Sequence, residues 1–302
     1  MTKRLTIAIC TFDRINELRM CLNSIKEFMG EFSSRTDVLV VDNKGQVKVM
    51  DLIDSFKPYY DIAYIPCEKI GLSNARNLAA LNAKADYVFY LDDDAKILAN
   101  TLSEVYIIIE KYNFHIFGGS YKAYYLYEKP KWIATNFGSS SFSQQSIGIT
   151  SHLLSGSVFV VARIVFEKVK FNKIYGMTGY SRGYGEETVF QKDASRLGFI
   201  VGFNPAFIVE HLVGIHKHSI IWHLSDYFYR GYYSDFSELS HFERISIFMK
   251  DIFFFIPAGI LSGLRNFITK RNYYVQNLVL DSTASIIVSF GRFWSIIIPL
   301  KK

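Results

Sequence analysis

The chain has 302 residues, half of them hydrophobic, with 16% aromatic residues and a formal net charge of +6. That length supports one large domain with a full core, or one domain plus an appendage, and the aromatic content argues against a disordered chain. The mild positive charge suits nucleic acid, an anionic substrate or an anionic membrane surface and does not choose among them. Cys10, Cys21 and Cys67 are odd in number and scattered, which excludes a disulfide framework and a cysteine metal site.

The N-terminal run "MTKRLTIAICTF" is too short in apolar residues for a signal peptide and predicts a strand over Leu5 to Cys10. Ile15 to Phe28 places Leu18, Cys21, Leu22 and Ile25 on one helical face, with Asp13 and Asn16 as candidate caps. "DVLVVDN" predicts a second buried strand, Val47 to Phe56 a helix stopped by Pro58, "IAYIP" a third strand, Ser73 to Ala83 a helix and "YVFYL" a fourth strand. Strand alternating with helix implies a parallel sheet with helices on both faces, and ligands bind outside the carboxyl ends of such strands. Thr11, Asp42 and Asp92 stand at three of those ends, and the loop before Ser73 lies at the same edge.

The middle of the chain, Ser120 to Ser155, predicts an irregular, partly antiparallel section. "SGSVFVVARIVFEKV" predicts a strand and a helix, a Gly-rich loop precedes a helix starting near Glu186, and "FIVGFNPAFIVEHL" predicts two short strands around Pro205. Composition shifts near residue 215. The remainder holds two apolar helical segments, broken by Pro257 and Gly259 and by Gly291 and Arg292. Each reads as too short or too interrupted for the roughly 20 residues of a membrane span. Basic flanks (Arg244, Lys250, Arg265, Lys270, Arg271, Arg292, Lys301, Lys302) suit helices lying in an anionic membrane interface. Packing on the catalytic domain, or a homodimer through these helices, is the plainer alternative.

Three adjacent carboxylates, Asp92, Asp93 and Asp94, repel one another unless a cation joins them. Hard oxygen ligands select Mg2+ or Mn2+, which take one or two carboxylates plus substrate phosphates. Asp94, with Asp92, is the candidate metal pair, and His211 completes it, with His216 and His218 as rivals. Arg76, in the first turns of a helix, is placed to pair a phosphate. Asp42 can accept from an imide N–H such as that of uracil. Glu186 and Glu187 open a helix behind a flexible loop, where one of them can serve as general base.

In this order, "TIAICTFDR", "VLVVDN", "GLSNARNLA", "YLDDDA", "LLSGSVFVVARIVFEKVKFN", "GYGEET" and "VEHL" resemble family 2 glycosyltransferases with the GT-A fold, over roughly residues 4 to 215. The resemblance implies an α/β fold: a Rossmann-like, nucleotide-binding mixed sheet flanked by helices. It gives domains at 1–215, catalytic, and 216–302, a helical and amphipathic extension. It also implies a nucleotide-sugar donor, a divalent metal and inverting transfer. Thr11 and Asp42 match nucleoside-binding positions, and Arg76 a position near the diphosphate. Asp92 and Asp94 match the ends of the DXD motif, with Asp93 between them at the donor. Glu187 matches the catalytic base, here Glu in place of the usual Asp, with Glu186 beside it. The expected setting is the inner face of a bacterial cell membrane, with a saccharide or lipid-linked saccharide acceptor, a UDP- or dTDP-sugar donor and no nucleic acid. A nucleotidyltransferase of similar fold would carry a Gly-rich, Lys- or Arg-bearing phosphate loop after the first strand, which "CTFDRINEL" lacks. A non-catalytic, membrane-associated sugar-binding protein would not need Asp94 and Glu187 at one edge.

Overall fold

The structure, a computed structural model, describes residues 4–140, 142–234 and 239–298. The candidate flank residues Lys301 and Lys302 lie outside the described residues. Two compact units are present: Met1–Tyr124 with Gly138–Ser181 and Gly185–Leu212, and Tyr125–Phe137 with Arg182–Tyr184 and Val213–Lys302.

The first unit is built on a sheet of nine strands: β1 (Leu5–Thr11), β2 (Thr36–Asp42), β3 (Ile62–Pro66), β4 (Tyr87–Leu91), β5 (Ala95–Ile97), β6 (Ile116–Tyr124), β7 (Gly148–Ile149), β8 (Val158–Ala162) and β9 (Val201–Leu212). The order is β3-β2-β1-β4-β8-β6-β9-β5, with β7 on β9. β1 to β4 are mutually parallel, as the strand–helix rhythm implies. β8 then runs antiparallel to both β4 and β6, so the sheet is mixed. Along β1, Leu5, Ile7 and Ile9 enter one core while Ala8 enters the other, the alternation a pleated strand dictates. Helices α1 (Ile15–Phe28), α2 (Val47–Asp54) and α4 (Thr101–Lys111) supply the first core. Helices α3 (Leu72–Asn82) and α5 (Glu186–Arg196) supply the second.

The sheet must curl to place the aspartates. The chain leaves β4 at Leu91 and enters β5 at Ala95, a reach of at most about 14 Å. Yet β5 follows β4 by four strand spacings in the sheet order, about 19 Å if flat. Curling brings the end of β9 over the end of β4, so Ala95 pairs with His211, and Asp92, Asp93 and Asp94 occupy the connection.

Three local expectations are corrected. The two short strands around Pro205 are one strand, β9, whose pairing with β6 shifts between Gly118 and Ser120. Pro205 falls within that irregularity, where a missing N–H breaks no ladder bond. Gly119 is required there, because a Cβ would sit 1.8 Å from the Phe207 carbonyl oxygen. The helix expected after β8 is a 3-10 turn, Arg163–Glu167; β-branched Ile164 and Val165 resist helix. The cap of α1 is Arg14 without a side-chain bond. Asp13 instead takes a left-handed φ of 59° and accepts from Lys44, Gln46 and Tyr180.

The second unit is helical: α6 (Ile220–Tyr232), α7 (His241–Lys250), α8 (Ile256–Thr269) and α9 (Val275–Ile297). The expected breaks are absent. α7 and α8 join through a π-wound turn, Asp251–Phe255, into one 29-residue helix, His241–Thr269. Pro257 falls in the first turn of α8, one residue beyond that wider turn, where its missing N–H and ring are accommodated. At 1.5 Å per residue this helix is about 43 Å long, longer than a bilayer's hydrocarbon core of about 30 Å. By length and composition it can cross a membrane, which corrects the expectation that neither segment could.

Gly291 and Arg292 do not interrupt α9 either. A Cβ on Gly291 would lie 2.1 Å from the Phe228 carbonyl oxygen, and one on Gly231 2.1 Å from that of Val288, so α6 and α9 cross with backbones touching. At Gly263 a Cβ would instead meet a side chain, lying 2.7 Å from the Ser282 hydroxyl. Arg292 pairs with buried Asp251 at 2.7 Å, and Ser289 donates to the same carboxylate. Small and polar residues thus fill the helix crossings, while Phe253, Phe254, Phe255, Leu261, Ile268 and Phe293 are exposed.

Candidate active site

All the chemistry-bearing residues named from the sequence, apart from His216 and His218, lie in the first unit. Asp42 ends β2 fully buried. Its Oδ1 accepts from the Lys44 N–H at 2.9 Å, and its Oδ2 from the Gln46 N–H at 2.7 Å and the Tyr64 hydroxyl at 3.2 Å. The carboxylate therefore shapes the turn after β2. Thr11, at the end of β1, donates to Asp93 Oδ2 at 2.8 Å.

The triplet divides into two roles. Asp93 is buried. Burial pushes its carboxyl up from the usual carboxylate range, Arg14 draws it back down, and Asp94 pushes it up again. Asp92 and Asp94 are half-buried and turn toward His211. The Nε2 of His211 lies 3.3 Å from Asp94 Oδ1 and 3.9 Å from Asp92 Oδ2. One ligand atom from each of the three lies within 4.8 Å of the others, the one such grouping of His, Cys, Asp and Glu among the described residues. His216 and His218 lie instead in the 3-10 turn Ile215–His218 of the second unit. Two carboxylates and an imidazole, none fully buried, fit a divalent cation of the Mn2+ or Mg2+ kind that keeps open positions for phosphate oxygens.

Arg76 joins the aspartates to the acidic pair. It projects from α3 and is 3% exposed. Its Nη1 donates to Glu186 Oε1 at 3.0 Å, and its Nη2 to Asp92 Oδ1 at 3.3 Å and the Gly156 carbonyl at 3.2 Å. Gly156 is needed beside it, because a Cβ would lie 2.7 Å from Nη2. Burial opposes the charge on Arg76, but Glu186 and Asp92 outweigh it and hold the guanidinium firmly protonated. Glu186 is buried at the start of α5. Burial, then the charge of Glu187, push its carboxyl up, and Arg76 opposes both. The guanidinium at 3.0 Å is the chief neighbour favouring its charged form. Glu187 is half-buried, one position on. Glu186 is thus spent on Arg76, and Glu187 is the less engaged member of the pair.

Arg14 was not singled out by the sequence. Its Nη1 lies 3.1 Å from Asp94 Oδ2 and 3.3 Å from Asp93 Oδ1. The chain thus carries its own cation inside the triplet. Removing Asp94 would strip Arg14 and His211 of a partner, so the repulsion within the triplet is already offset.

The sequence model described as "Glycosyl transferase family 2" matches residues 6–170. The succinoglycan biosynthesis protein ExoM of Rhizobium meliloti (strain 1021) is 24% identical over 225 residues, 73% of this chain and 71% of that protein. Beta-1,4 N-acetylgalactosaminyltransferase 2 of Mus musculus is 31% identical over 132 residues, 42% of this chain and 24% of that protein. Among solved structures, the mannosyltransferase PcManGT from Pyrobaculum calidifontis, in complex with GDP-Man and Mn2+, aligns over 98% of this chain and 88% of its own with a TM-score of 0.62 at 13% identity. S. aureus TarS 1-349 in complex with UDP-GlcNAc aligns over 96% and 92% with a TM-score of 0.58 at 12% identity. These structures share the fold, a mixed curled sheet flanked by helices with a helical C-terminal region.

Replacing Arg76 by Met leaves Glu186 buried and uncompensated, which costs about 3–5 kcal/mol. Urea unfolding of Arg76→Met is expected to show a loss of that order. The double variant Arg76→Met/Glu186→Gln is expected to lose less than Arg76→Met alone, and an equal or larger loss contradicts the ion pair.

Proposed function

The chain belongs to glycosyl transferase family 2 and is a glycosyltransferase, and we propose that it is an inverting, metal-dependent enzyme that moves a sugar from a UDP- or dTDP-sugar to a saccharide acceptor. The observation that carries this reading is the convergence of Asp92, Asp94 and His211 on one sheet edge, tied through Arg76 to the Glu186–Glu187 pair. The solved PcManGT complex contains Mn2+ and GDP-Man, and TarS was solved with UDP-GlcNAc, which supports a nucleotide-sugar donor. The pyrimidine choice rests on the family match at Asp42 alone, because the carboxylate itself is buried and bonded to Lys44, Gln46 and Tyr64.

Asp92, Asp94 and His211 would hold Mn2+ or Mg2+, which when bound supplies Lewis acidity to the leaving diphosphate. Thr11 and Asp93 fix the triplet from behind, and Arg76 sets the distance between Asp92 and α5. Glu187 accepts the proton of an acceptor hydroxyl. The acceptor oxygen forms its bond to the anomeric carbon as the bond to the diphosphate breaks on the opposite face, so configuration inverts and no enzyme nucleophile takes part.

The place of work is proposed as the inner face of a bacterial cell membrane, with residues 1–215 catalytic and 216–302 associating with lipid. Its support is the helix His241–Thr269, of which 6% is buried over its most apolar stretch, with Arg244, Lys250, Arg265, Lys270 and Arg271 along and beside it. Large apolar side chains outside and small ones at the crossings are the arrangement expected where lipid replaces water. The similarity to a succinoglycan biosynthesis protein supports surface-polysaccharide synthesis. A lipid-linked saccharide acceptor would be held at the same membrane.

Glu187→Gln is expected to bind donor as the wild type does and to lose transfer by at least about 10²-fold, the scale of general-base catalysis. Transfer within about tenfold of wild type by this variant contradicts the assignment. For the membrane, the full chain is expected to float with vesicles containing anionic lipid, and the triple change Phe253→Ser, Phe254→Ser, Phe255→Ser to stay in solution. Equal flotation of both, or a detergent-free dimer that leaves vesicles alone, contradicts the lipid role.

A further inference from the structure

We infer that Arg14 is the residue through which this chain contacts the leaving diphosphate directly, an assignment that rests on the nucleotide-sugar reading above. Two guanidiniums stand at the carboxyl edge of the sheet, and the structure employs them differently. Arg76 is 3% exposed, and both its terminal nitrogens are committed to Glu186, Asp92 and the Gly156 carbonyl. The nearby lysines face Asp13 rather than the triplet: Lys44 Nζ lies 2.6 Å from it and Lys48 Nζ 3.7 Å.

Arg14 differs on each count. Its side chain is 40% exposed. Both ion pairs run through Nη1, which leaves the donors on Nε and Nη2 for a ligand. A guanidinium presents its donors as a planar fork that matches phosphate oxygens two at a time. One anchor, Asp94, is also a member of the Asp92–Asp94–His211 group, so a phosphate on a cation there would come alongside Arg14. The other anchor explains the third aspartate. Asp93 is not part of that group; it is buried, bonded to Thr11, and holds the Arg14 head at the edge. Two aspartates hold the metal, and the middle one holds the arginine.

The test is nucleotide binding by calorimetry, comparing wild type with Arg14→Ala and Arg14→Lys, each first checked for an unchanged melting temperature. UDP, dTDP and GDP are screened on the wild type, and the diphosphate that binds is compared with its monophosphate, in Mn2+ and in EDTA. Arg14→Ala is expected to lose about tenfold or more of the diphosphate-over-monophosphate preference in both conditions, the scale of one charge-assisted pair. Arg14→Lys is expected to recover part of it. A loss confined to Mn2+ overturns the inference, because Arg14 would then act only by orienting Asp94. An unchanged preference also overturns it. A wild type that binds none of the three diphosphates overturns the donor reading itself, and so separates that failure from this one.

Discussion

Five carboxylates, Asp92, Asp93, Asp94, Glu186 and Glu187, meet at one edge of a sheet, and their repulsion is the constraint around which the first unit is arranged. No fold tolerates such crowding without cations placed to match. Arg76 is buried so that it can face Glu186 and Asp92 together, and Gly156 lacks a side chain so that it fits. Arg14 faces Asp93 and Asp94 from the other side. What remains after these two pairings is a half-open set, Asp92, Asp94 and His211, that a divalent cation would complete.

The strand–helix alternation of the first hundred residues was legible because each element is short, strongly apolar and locally determined. β1, α1, β3 and β4 fall where their patterns place them. The acidic residues and His211 were legible as motif members. Arg14 was not, because its meaning comes from Asp93 and Asp94, 79 and 80 positions away. No periodicity reveals a pairing of that separation; only the topology of β1 beside β4 does. Gly156 was opaque for the same reason. β9 was misread as two strands because Pro205 is a reliable breaker in a regular ladder, and the irregular pairing at Gly119 is invisible until β6 and β9 are aligned.

The second unit inverts the lesson. Pro257, Gly259 and Gly291 read as interruptions because, in water, each weakens a helix, and Arg292 because a charge interrupts an apolar run. Within this unit three of them are where helices meet: Gly291 admits the α6 backbone, Gly259 approaches the Asp281 carbonyl and Arg292 neutralises Asp251. A helix whose small and charged residues face its neighbours while its phenylalanines face outward has its apolar surface in the place where a lipid phase would cover it. On this reading, catalytic polarity is concentrated at a sheet edge in one unit, and apolar exposure is concentrated on helices in the other.

The central claim is that Asp92, Asp94 and His211 form the metal site of this glycosyltransferase. Crystals grown with Mn2+ and a nucleoside diphosphate, measured at the manganese absorption edge, address it most directly. The account predicts one strong anomalous peak within coordination distance of Asp94 and His211, with Asp92 and the diphosphate oxygens around it. A peak held by other residues, or diphosphate bound at the edge with no anomalous signal beside Asp94, would contradict it.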